Sequence, residues 1–343
     1  MSQKKLTSIQ PSLKDIARLA GVSIMTVSRA LNRPEKVSAE TKEKIEEIAK
    51  KLCYVPSQVG RSLLTKRTQL IGIIVPSIRN PIFADILEGV LDVVRRNGYH
   101  VLIGNSSNQQ DEEKALAMTF LAHRPDGLIL HGTAQNTELR RILSRSGLPV
   151  VETGGREIDD PIDMLVSYSN SDAAAAAVRH LVERGHRKIG LITAPTIHNE
   201  RAIIRRESYL RVIREAGLPE NPSLMVEASH SHEEDWSGEA LCRLLEREPT
   251  IDAVFCAGYT SLAIGSVFEC QRRGWPVPDR LAIVGFDDIP VASWITPHLT
   301  TVHIPRYEIG RTAATLLLDR IAGRPVERTI VDVGFSLIER ESA

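Results

Sequence analysis

Cysteine and long apolar runs are scarce in this sequence of 343 residues. The four cysteines include no C-x-x-C pair and no histidine at zinc-finger spacing, which argues against a disulfide framework and a structural zinc site. No apolar run approaches the roughly 18 to 20 residues that cross a bilayer, and no apolar segment follows Met1–Lys5, so neither a membrane span nor export is expected. We therefore expect a cytoplasmic protein with reduced core cysteines, namely Cys53, Cys242, Cys256 and Cys270.

Motifs of the common enzyme classes are missing as well. The chain contains no G-x-G-x-x-G after its first predicted strand, no G-x-x-x-x-G-K-[ST], no G-x-S-x-G and no H-E-x-x-H. His230 and His232 precede three acidic residues and are interpreted as a solvated loop. Asp159-Asp160 and Asp287-Asp288 lack a helix-spaced partner ligand for a metal. We expect no metal, no cofactor and no catalytic residue.

Charge is distributed unevenly although the chain is neutral overall. Residues 1–70 contain 14 Lys and Arg against 6 Asp and Glu, a net charge of +8, so the remaining residues carry −8. A basic head on an acidic body fits a polyanionic partner for the head, while a solvated basic surface is the plainer alternative.

The head reads as three short helices. Ser12 and Asp15 form a capping box for a helix that ends at Gly21, and Ser23 caps a second helix from Thr26 to about Leu31. Ser38 begins a third helix, whose apolar stripe is Ile45, Ile48, Ala49 and Leu52. Two helices joined by a tight Gly-Val-Ser turn are typical of a helix-turn-helix, in which the second helix enters the major groove of DNA.

From Leu70 onward, short apolar runs alternate with amphipathic helices. Strands are predicted at Leu70–Val75, Val101–Gly104, Gly127–Leu130 and Val150–Glu152, then at Ile189–Thr193, Leu224–Glu227, Ala253–Cys256 and Leu281–Gly285. Helices are predicted at Phe83–Arg96, Ala173–Arg184, Arg205–Ala216 and Leu262–Arg273. This alternation predicts an α/β fold with two doubly wound lobes of parallel sheet, separated near residues 155–165. A small molecule is expected in the cleft between the lobes, at the carboxyl ends of the strands.

Several segments carry a family resemblance. They are LKDIARLAGVSIMTVSRALN (Leu13–Asn32), VSAETKEKI (Val37–Ile45), YVPSQ (Tyr54–Gln58), LIGIIVPSIRNPIF (Leu70–Phe83), VGFDD (Val284–Asp288) and LTTVHIP (Leu299–Pro305). With them, the chain from Leu13 to its C-terminus resembles the LacI/GalR family of bacterial transcription repressors. Three further segments are similar to the gluconate-responsive repressors within that family: NERAIIRRESY (Asn199–Tyr209), FECQRRGWPVPDRLAI (Phe268–Ile283) and VDVGFSL (Val331–Leu337).

The resemblance implies which head residues contact DNA. Ile24, Met25 and Arg29 match the positions that meet base edges, where Arg29 suits guanine and the two apolar residues suit thymine methyl groups. Flanking donors suited to phosphate are Ser23, Thr26, Ser28, Asn32 and Lys36. In the family, the hinge that follows orders on the operator, and the leucine matching Leu63 wedges into the minor groove. A plain basic linker is the alternative for this segment.

Candidate effector contacts follow predicted strands. They are Asn80, Phe83, Glu152, Arg201, Arg205 and Asp287. Arg205 and Asp287 match the family's ligand-binding arginine and aspartate, a pair that suits a sugar acid, since a guanidinium binds a carboxylate and a carboxylate binds hydroxyls. Surface salt bridges are the alternative. Gly258-Tyr259 stands where the family usually has Asn-Asp, which bears on the identity of the ligand.

These observations predict a DNA-binding head at 1–56, a hinge at 57–69 and a bilobed effector-binding and dimerisation body at 70–343. The expected function is a homodimeric repressor that is released from a palindromic double-stranded DNA operator by gluconate or a ketogluconate. Alternatives are a regulator of a neutral or phosphorylated sugar, one that needs a phosphoprotein co-regulator, and, from another class, an enzyme of sugar-acid metabolism.

Overall fold

The computed structural model describes residues 11–55, 67–132, 136–155, 157, 160–197, 199–228 and 238–343, without the side chain of Asn32. Its contacts form two compact units that divide between Thr68 and Gln69. Most of the predicted hinge, including Leu63, lies outside the described residues.

The head consists of helices α1 (Leu13–Ala20), α2 (Ile24–Asn32) and α3 (Ala39–Lys51). The expected caps are present: the Ser12 N–H donates to the Asp15 carboxylate at 3.0 Å, and the Ser23 hydroxyl accepts from the Thr26 N–H at 3.1 Å. Gly21 ends α1 at a φ of +70°, a conformation that favours glycine. The helix-turn-helix prediction is confirmed, although α2 begins two residues earlier than predicted.

One fully buried side chain from each helix forms the centre of the head's small core: Ile16, Val27 and Ile45. Half-buried apolar residues, including Ile48 and Leu52, pack against them. The predicted stripe of α3 therefore faces this core, which fixes the faces of α1 and α2 that point away from it.

The body alternates strands and helices. Its first part contains β1 (Leu70–Val75), α4 (Ile82–Arg96), β2 (His100–Asn105), α5 (Gln110–Ala122), β3 (Gly127–His131), α6 (Thr137–Ser146), β4 (Val150–Thr153) and β5 (Met164–Ser167). Its second part contains α7 (Asn170–Glu183), β6 (Ile189–Thr193), α8 (Glu200–Glu215), β7 (Met225–Glu227), α9 (Glu239–Arg247), β8 (Ala253–Cys256), α10 (Thr260–Arg272), β9 (Ala282–Asp287) and β10 (Thr300–His303). The last elements are α11 (Arg306–Ile321), β11 (Ile330–Asp332) and β12 (Ser336–Ile338).

These strands form two sheets, one in each lobe. The first has the order β11-β5-β4-β3-β1-β2 and is parallel throughout, and the second has the order β12-β10-β9-β8-β6-β7 with only β12 antiparallel. Parallel strands buried on both faces need helices on both sides, which the alternating order supplies. The predicted α/β class with two doubly wound lobes is confirmed.

The boundary between the lobes differs from the prediction. β5 pairs with β4, so the first sheet extends past residues 155–165, and the chain first crosses at Ser167–Asn170. It crosses back before α11, which packs on α4 in the first lobe. Gly89 and Gly310 allow this packing, because a Cβ on either glycine would overlap backbone of the facing helix. A linear division of the sequence misses this return of the chain.

The cysteines are free, but they are not all core residues. Cys256 and Cys270 are buried, Cys242 is half-buried and Cys53 is exposed. The core prediction is wrong for Cys53 because the residue lies in the turn after α3, at a φ of +51°. Among the residues that the structure describes, no helix is long and apolar enough to cross a membrane.

Candidate functional site

The exposed face of α2 carries the residues predicted to read DNA. Ile24 is 44% exposed and Met25 is 62% exposed at the start of the helix, and Arg29 is exposed one turn later. Val27 and Ala30 are buried on the opposite face. Two adjacent apolar side chains exposed on the same helix as Arg29 make this face a candidate contact surface.

The predicted phosphate donors surround this face. The Ser23 and Thr26 hydroxyls lie 2.9 Å apart, Ser28 is half-buried, and Lys36 is exposed in the short 3₁₀ turn Pro34–Lys36. The side chain of Asn32 and the whole of Leu63 lie outside the described residues, so their predicted roles stay predictions.

The body has a cleft of about 470 Å³ between its lobes, and it brings together five of the six predicted effector residues. Asn80 and Phe83 line it from the loop after β1 and the start of α4, Arg201 and Arg205 from α8, and Asp287 from the end of β9. Asn80, Phe83, Arg205 and Asp287 are each at most 6% exposed. The cleft thus lies at the carboxyl ends of strands from both sheets, as expected.

Glu152 is the predicted effector residue that the structure does not bring to this cleft. It is fully buried, and its carboxylate accepts from Arg140 at 3.2 Å and from the Ile162 N–H at 2.6 Å. Neighbouring residues of a strand point to opposite faces, and in β4 it is Thr153 that contacts His131, which lies beside the cleft. The carboxylate of Glu152 is therefore bound within the first lobe.

Most N–H donors of the Arg205 guanidinium already form hydrogen bonds within the protein. Its Nε donates to Asn170 at 2.9 Å, Nη1 donates to the carbonyls of Ala257 (2.9 Å) and Gly258 (3.2 Å), and Nη2 donates to the Tyr168 hydroxyl at 3.2 Å. Its guanidinium carbon lies 3.7 Å from the centre of the Phe286 ring. Because a guanidinium has five N–H donors, these bonds leave one for a ligand.

Arg306, at the start of α11, is a cleft residue that the sequence analysis missed. It is 5% exposed, and its Nη2 donates to the Asp287 carboxylate. Burial by itself lowers the pKa of Arg306, but Asp287 and Tyr168 together outweigh burial, so the pKa is raised. Within the described part of the chain, Arg306 Nε is buried without a hydrogen-bond partner. A buried donor of this kind is expected to be satisfied by another group.

Arg201 and His131 form a contact between the lobes beside the cleft. Arg201 Nη1 lies 2.9 Å from His131 Nε2, and the Phe83 ring packs edge-on against the imidazole with centres 4.8 Å apart. Burial, followed by Arg201 and Arg306, lowers the pKa of His131 well below 6.5, so the imidazole is neutral. Burial is also the main cause that lowers the pKa of Arg201.

The cleft is therefore rich in positive charge. Its described lining contains three arginines, Arg201, Arg205 and Arg306, but a single carboxylate, that of Asp287. An adjoining compartment shares Asn108, Asn199 and Arg201 with the cleft and adds glutamates to its walls. Asp287 and the neighbouring Asp288 both bind cationic side chains, the latter at 2.7 Å from Arg340, and no group of potential metal ligands occurs among the described residues.

Steric contacts explain why position 258 is a glycine. A Cβ at this position would lie 2.9 Å from the Ala194 backbone nitrogen and 2.6 Å from a Leu262 methyl group. The loop therefore needs glycine where the resemblance leads one to expect asparagine, and its carbonyl binds Arg205 instead of offering a side-chain amide to a ligand.

Two residues in or beside the cleft follow from strand-end reasoning but were not predicted. His131 is the last residue of β3, one position beyond the predicted strand, and Arg306 follows β10, which was not predicted. Tyr168 and Asn170 lie at the first crossing between lobes, which the sequence analysis placed too early.

The sequence matches two family profiles. "Bacterial regulatory proteins, lacI family" matches residues 12–57, and "Periplasmic binding protein-like domain" matches residues 178–343. The HTH-type transcriptional regulator GntR of Pseudomonas aeruginosa is 35% identical over 336 residues, covering 98% of this chain and 96% of the relative. The HTH-type transcriptional repressor CytR of Escherichia coli is 34% identical over 317 residues, covering 92% and 91%.

Solved structures are similar too. The transcription regulator GntR from Chromobacterium violaceum has a TM-score of 0.74 at 37% identity, covering 80% of this chain and 98% of that one. The lac repressor dimer bound to operator and the anti-inducer ONPF has a TM-score of 0.80 at 24% identity, covering 97% and 98%, which is a likeness of fold.

Proposed function

Because the chain belongs to the LacI family of bacterial regulatory proteins, we propose that it is a homodimeric repressor that a small sugar acid, gluconate or a ketogluconate, releases from a palindromic operator. Such a protein binds DNA in the cytoplasm. The exposed residues Ile24, Met25 and Arg29 on α2 support the DNA contact. The dimer follows from operator symmetry, since two recognition helices read two half-sites.

The observation that carries the effector proposal is the charge of the cleft. The described lining of the cleft has three arginines and one carboxylate, so a monoanion reduces an excess of positive charge that a neutral sugar leaves unchanged. A guanidinium is well suited to bind a carboxylate, and Asp287 and the amides of Asn80, Asn108 and Asn199 suit hydroxyl groups. An aldonate combines both kinds of group. The segments that resemble gluconate-responsive repressors support the same choice.

Release requires that the acid binds more tightly to the arrangement of lobes that does not bind the operator. A hundredfold release corresponds to about 2.7 kcal/mol of coupling. A ligand that touches Arg201 and Arg205 of the second lobe and Asn80 or Phe83 of the first ties its binding to the spacing of the lobes. In the proposed dimer, that spacing determines the separation of the two hinges. Leu63, in the predicted hinge, is proposed as the minor-groove wedge.

The test uses the full-length protein. A palindromic operator is selected from random DNA by repeated binding and amplification, and its affinity is measured by fluorescence anisotropy with and without ligand. We expect gluconate or 2-ketogluconate to weaken operator binding at least tenfold, while glucitol, which has the hydroxyls and no carboxylate, has no effect. Calorimetry on the same ligands measures binding directly. Release by glucitol, or no binding by either acid, contradicts the proposal.

A phosphorylated sugar is the second candidate, because the same three arginines suit a phosphate. Adding 6-phosphogluconate and glucose 6-phosphate to the panel separates the two. Tighter binding of glucose 6-phosphate than of gluconate favours the phosphate. An enzyme of sugar-acid metabolism is contradicted by specific retention of the selected DNA, and the relatives reported above are named as regulators of transcription.

A further inference from the structure

The contact between Arg201 and His131 is a direct bond between the lobes. Arg201 lies in the first turn of α8, in the second lobe, and His131 lies at the end of β3, in the first lobe. Arg201 lines both the cleft and its adjoining compartment, His131 lines the compartment, and the two side chains meet at 2.9 Å. Breaking this contact therefore removes one of the interactions that hold the lobes at their present spacing.

The hydrogen-bond network fixes which imidazole nitrogen carries the proton. The Thr153 hydroxyl donates its single hydrogen to the carbonyl of Leu130 at 3.3 Å. At its contact with His131 Nδ1, 3.0 Å away, the threonine oxygen is therefore the acceptor and Nδ1 carries the hydrogen. In the neutral ring, Nε2 is then the acceptor, and it accepts from the Arg201 guanidinium. His131 is held as an acceptor aimed at Arg201.

The three arginines of the cleft differ in what holds them. Arg205 donates to backbone carbonyls and side-chain oxygens, and Arg306 donates to a carboxylate. Within the described residues, the hydrogen bond of Arg201 goes to a neutral imidazole. A carboxylate carries the charge that complements a guanidinium and can accept two parallel N–H bonds from it, whereas the neutral imidazole accepts one. Of the three arginines, Arg201 is therefore the one that an incoming acid can bind with the smallest loss of existing hydrogen bonds.

We propose that His131 is a positioning residue that holds Arg201 between the lobes and yields it to the carboxylate of the effector, so that binding of the acid breaks this bond between the lobes. The proposal rests on the proposed function and adds its regulation. His131 competes with the acid and does not bind it. The apparent affinity for the acid therefore includes the loss of the His131–Arg201 bond, and this loss is the link from ligand to lobe spacing.

The surroundings of His131 favour this role. Arg201 from α8 and Arg306 from α11 are the cations that lower its pKa, while Phe83 from α4 and Thr153 from β4 are uncharged neighbours. Glutamates 113, 157 and 200 line the adjoining compartment together with it. A neutral imidazole between cations keeps its acceptor available, whereas a protonated one has none.

The first experiment measures gluconate affinity by calorimetry for the wild type, His131→Phe, Arg201→Met and the double variant. Phenylalanine keeps the ring packing against Phe83 and removes the acceptor, and circular dichroism checks the fold. We expect His131→Phe to bind gluconate about tenfold more tightly, equivalent to about 1.4 kcal/mol, because no bond to Arg201 has to be broken. In the Arg201→Met background, His131→Phe should change the affinity less than twofold.

Weaker binding of gluconate by His131→Phe shows that the imidazole contacts the ligand, and unchanged binding shows that the imidazole does not compete with it. Either result overturns the proposal.

The second experiment needs no effector, so it separates this proposal from the proposed function. Nitrogen-15 NMR of the imidazole is expected to show Nδ1 protonated and Nε2 unprotonated in the wild type. In Arg201→Met, the loss of one donor and one cation should raise the pKa of His131 toward its ordinary 6.5. The opposite tautomer, or an unchanged pKa, overturns the proposal even if gluconate binds. If gluconate does not bind but the NMR result holds, the proposed effector is wrong while the bond between the lobes stands.

Discussion

Arg306 and Asp287 form a buried ion pair at the point where the two lobes join. Arg306 begins α11, which packs in the first lobe, and Asp287 ends β9 of the second sheet at a φ of +88°. Both side chains are at most 4% exposed. Separating two buried charges leaves each without its partner, so the pair resists movement of α11 away from β9. Among the described residues, Arg201 and Arg205 are then the two cleft arginines without a carboxylate partner.

This relationship predicts that removing the negative charge is costly. Asp287→Asn leaves a buried guanidinium without its counter-ion, and we expect the free energy of unfolding to fall by about 3 kcal/mol. The double variant Asp287→Asn, Arg306→Met should lose less than Asp287→Asn alone, because no unpaired charge remains. Urea unfolding of the single and the double variant measures the two free energies of unfolding. The control is Glu220→Gln, whose exposed pair with Arg214 is worth less than about 1 kcal/mol. A double variant that is no more stable than Asp287→Asn contradicts the argument.

Arg205 positions the wall of the cleft, since one guanidinium connects Asn170, Tyr168 and the carbonyls at 257 and 258. We expect Arg205→Ala to keep operator affinity without ligand within about threefold of the wild type and to lose release by gluconate. Arg214→Ala, an exposed arginine of the same helix, should behave as wild type. Anisotropy titrations with a gluconate series measure both, and thermal unfolding confirms that the variant is folded. Release at wild-type gluconate concentrations removes Arg205 from the effector site.

Gly258 provides a purely steric prediction. Gly258→Ala and Gly258→Asn both add a Cβ against the Ala194 backbone nitrogen, so both should lower the stability of the body by about 1 to 3 kcal/mol. Similar losses in the two variants identify the Cβ as the cause. If Gly258→Asn is as stable as wild type, the loop accepts the residue usual in the family, and the steric reason for glycine is wrong. Urea unfolding at one pH suffices for this comparison.

The strands that the sequence predicted well are continuous apolar runs, because a parallel strand covered on both faces has no polar side. The bounds of β1, β6 and β8 agree with the prediction to the residue. β10 was missed because two buried threonines, Thr300 and Thr301, interrupt its apolar character. The three-residue strands β11 and β12 lie at sheet edges and are too short to show a period.

For the cleft, the order of strands predicts which loops meet but not which way a side chain turns. Asn80, Phe83 and Asp287 were found because the ends of parallel strands share one edge. The prediction that Glu152 contacts the effector was wrong because its side chain in β4 points toward Arg140. The pairing of Arg306 with Asp287 joins residues from two elements at a crossing of the chain, and no local pattern contains that information.

Glu113 predicts a pH dependence of stability. Burial, and then the buried Glu152 carboxylate, raise the pKa of Glu113 from 4.5 to about 7. The folded protein therefore keeps a proton that the unfolded chain releases at lower pH, and stability falls as pH rises from about 4.5 to 7. Glu113→Gln removes the ionisation, so its stability gain over wild type should grow from pH 5 to pH 8, to about 1 to 3 kcal/mol. Unfolding midpoints at both pH values measure it, with the exposed Glu112→Gln as control. A gain that is equal at both pH values contradicts the argument.

Arg29 and Lys36 predict different effects on DNA binding, because Arg29 is exposed on α2, the proposed recognition helix, and Lys36 lies in the turn after it. Arg29→Ala should lose about 1 to 3 kcal/mol of preference for one base in each half-site, since the contact proposed for Arg29 is bidentate to a base edge. Lys36→Ala should weaken binding to all sequences about equally, and it should reduce the slope of log K against log salt by about 0.9 for each phosphate that the lysine neutralises in the wild type. Both side chains are exposed, so neither change should alter the thermal stability of the head.

Competition binding on a set of operators with single base changes, repeated at several salt concentrations, measures preference and slope together. A uniform loss in Arg29→Ala identifies it as a phosphate contact, and a slope near zero in the wild type contradicts binding through the basic head.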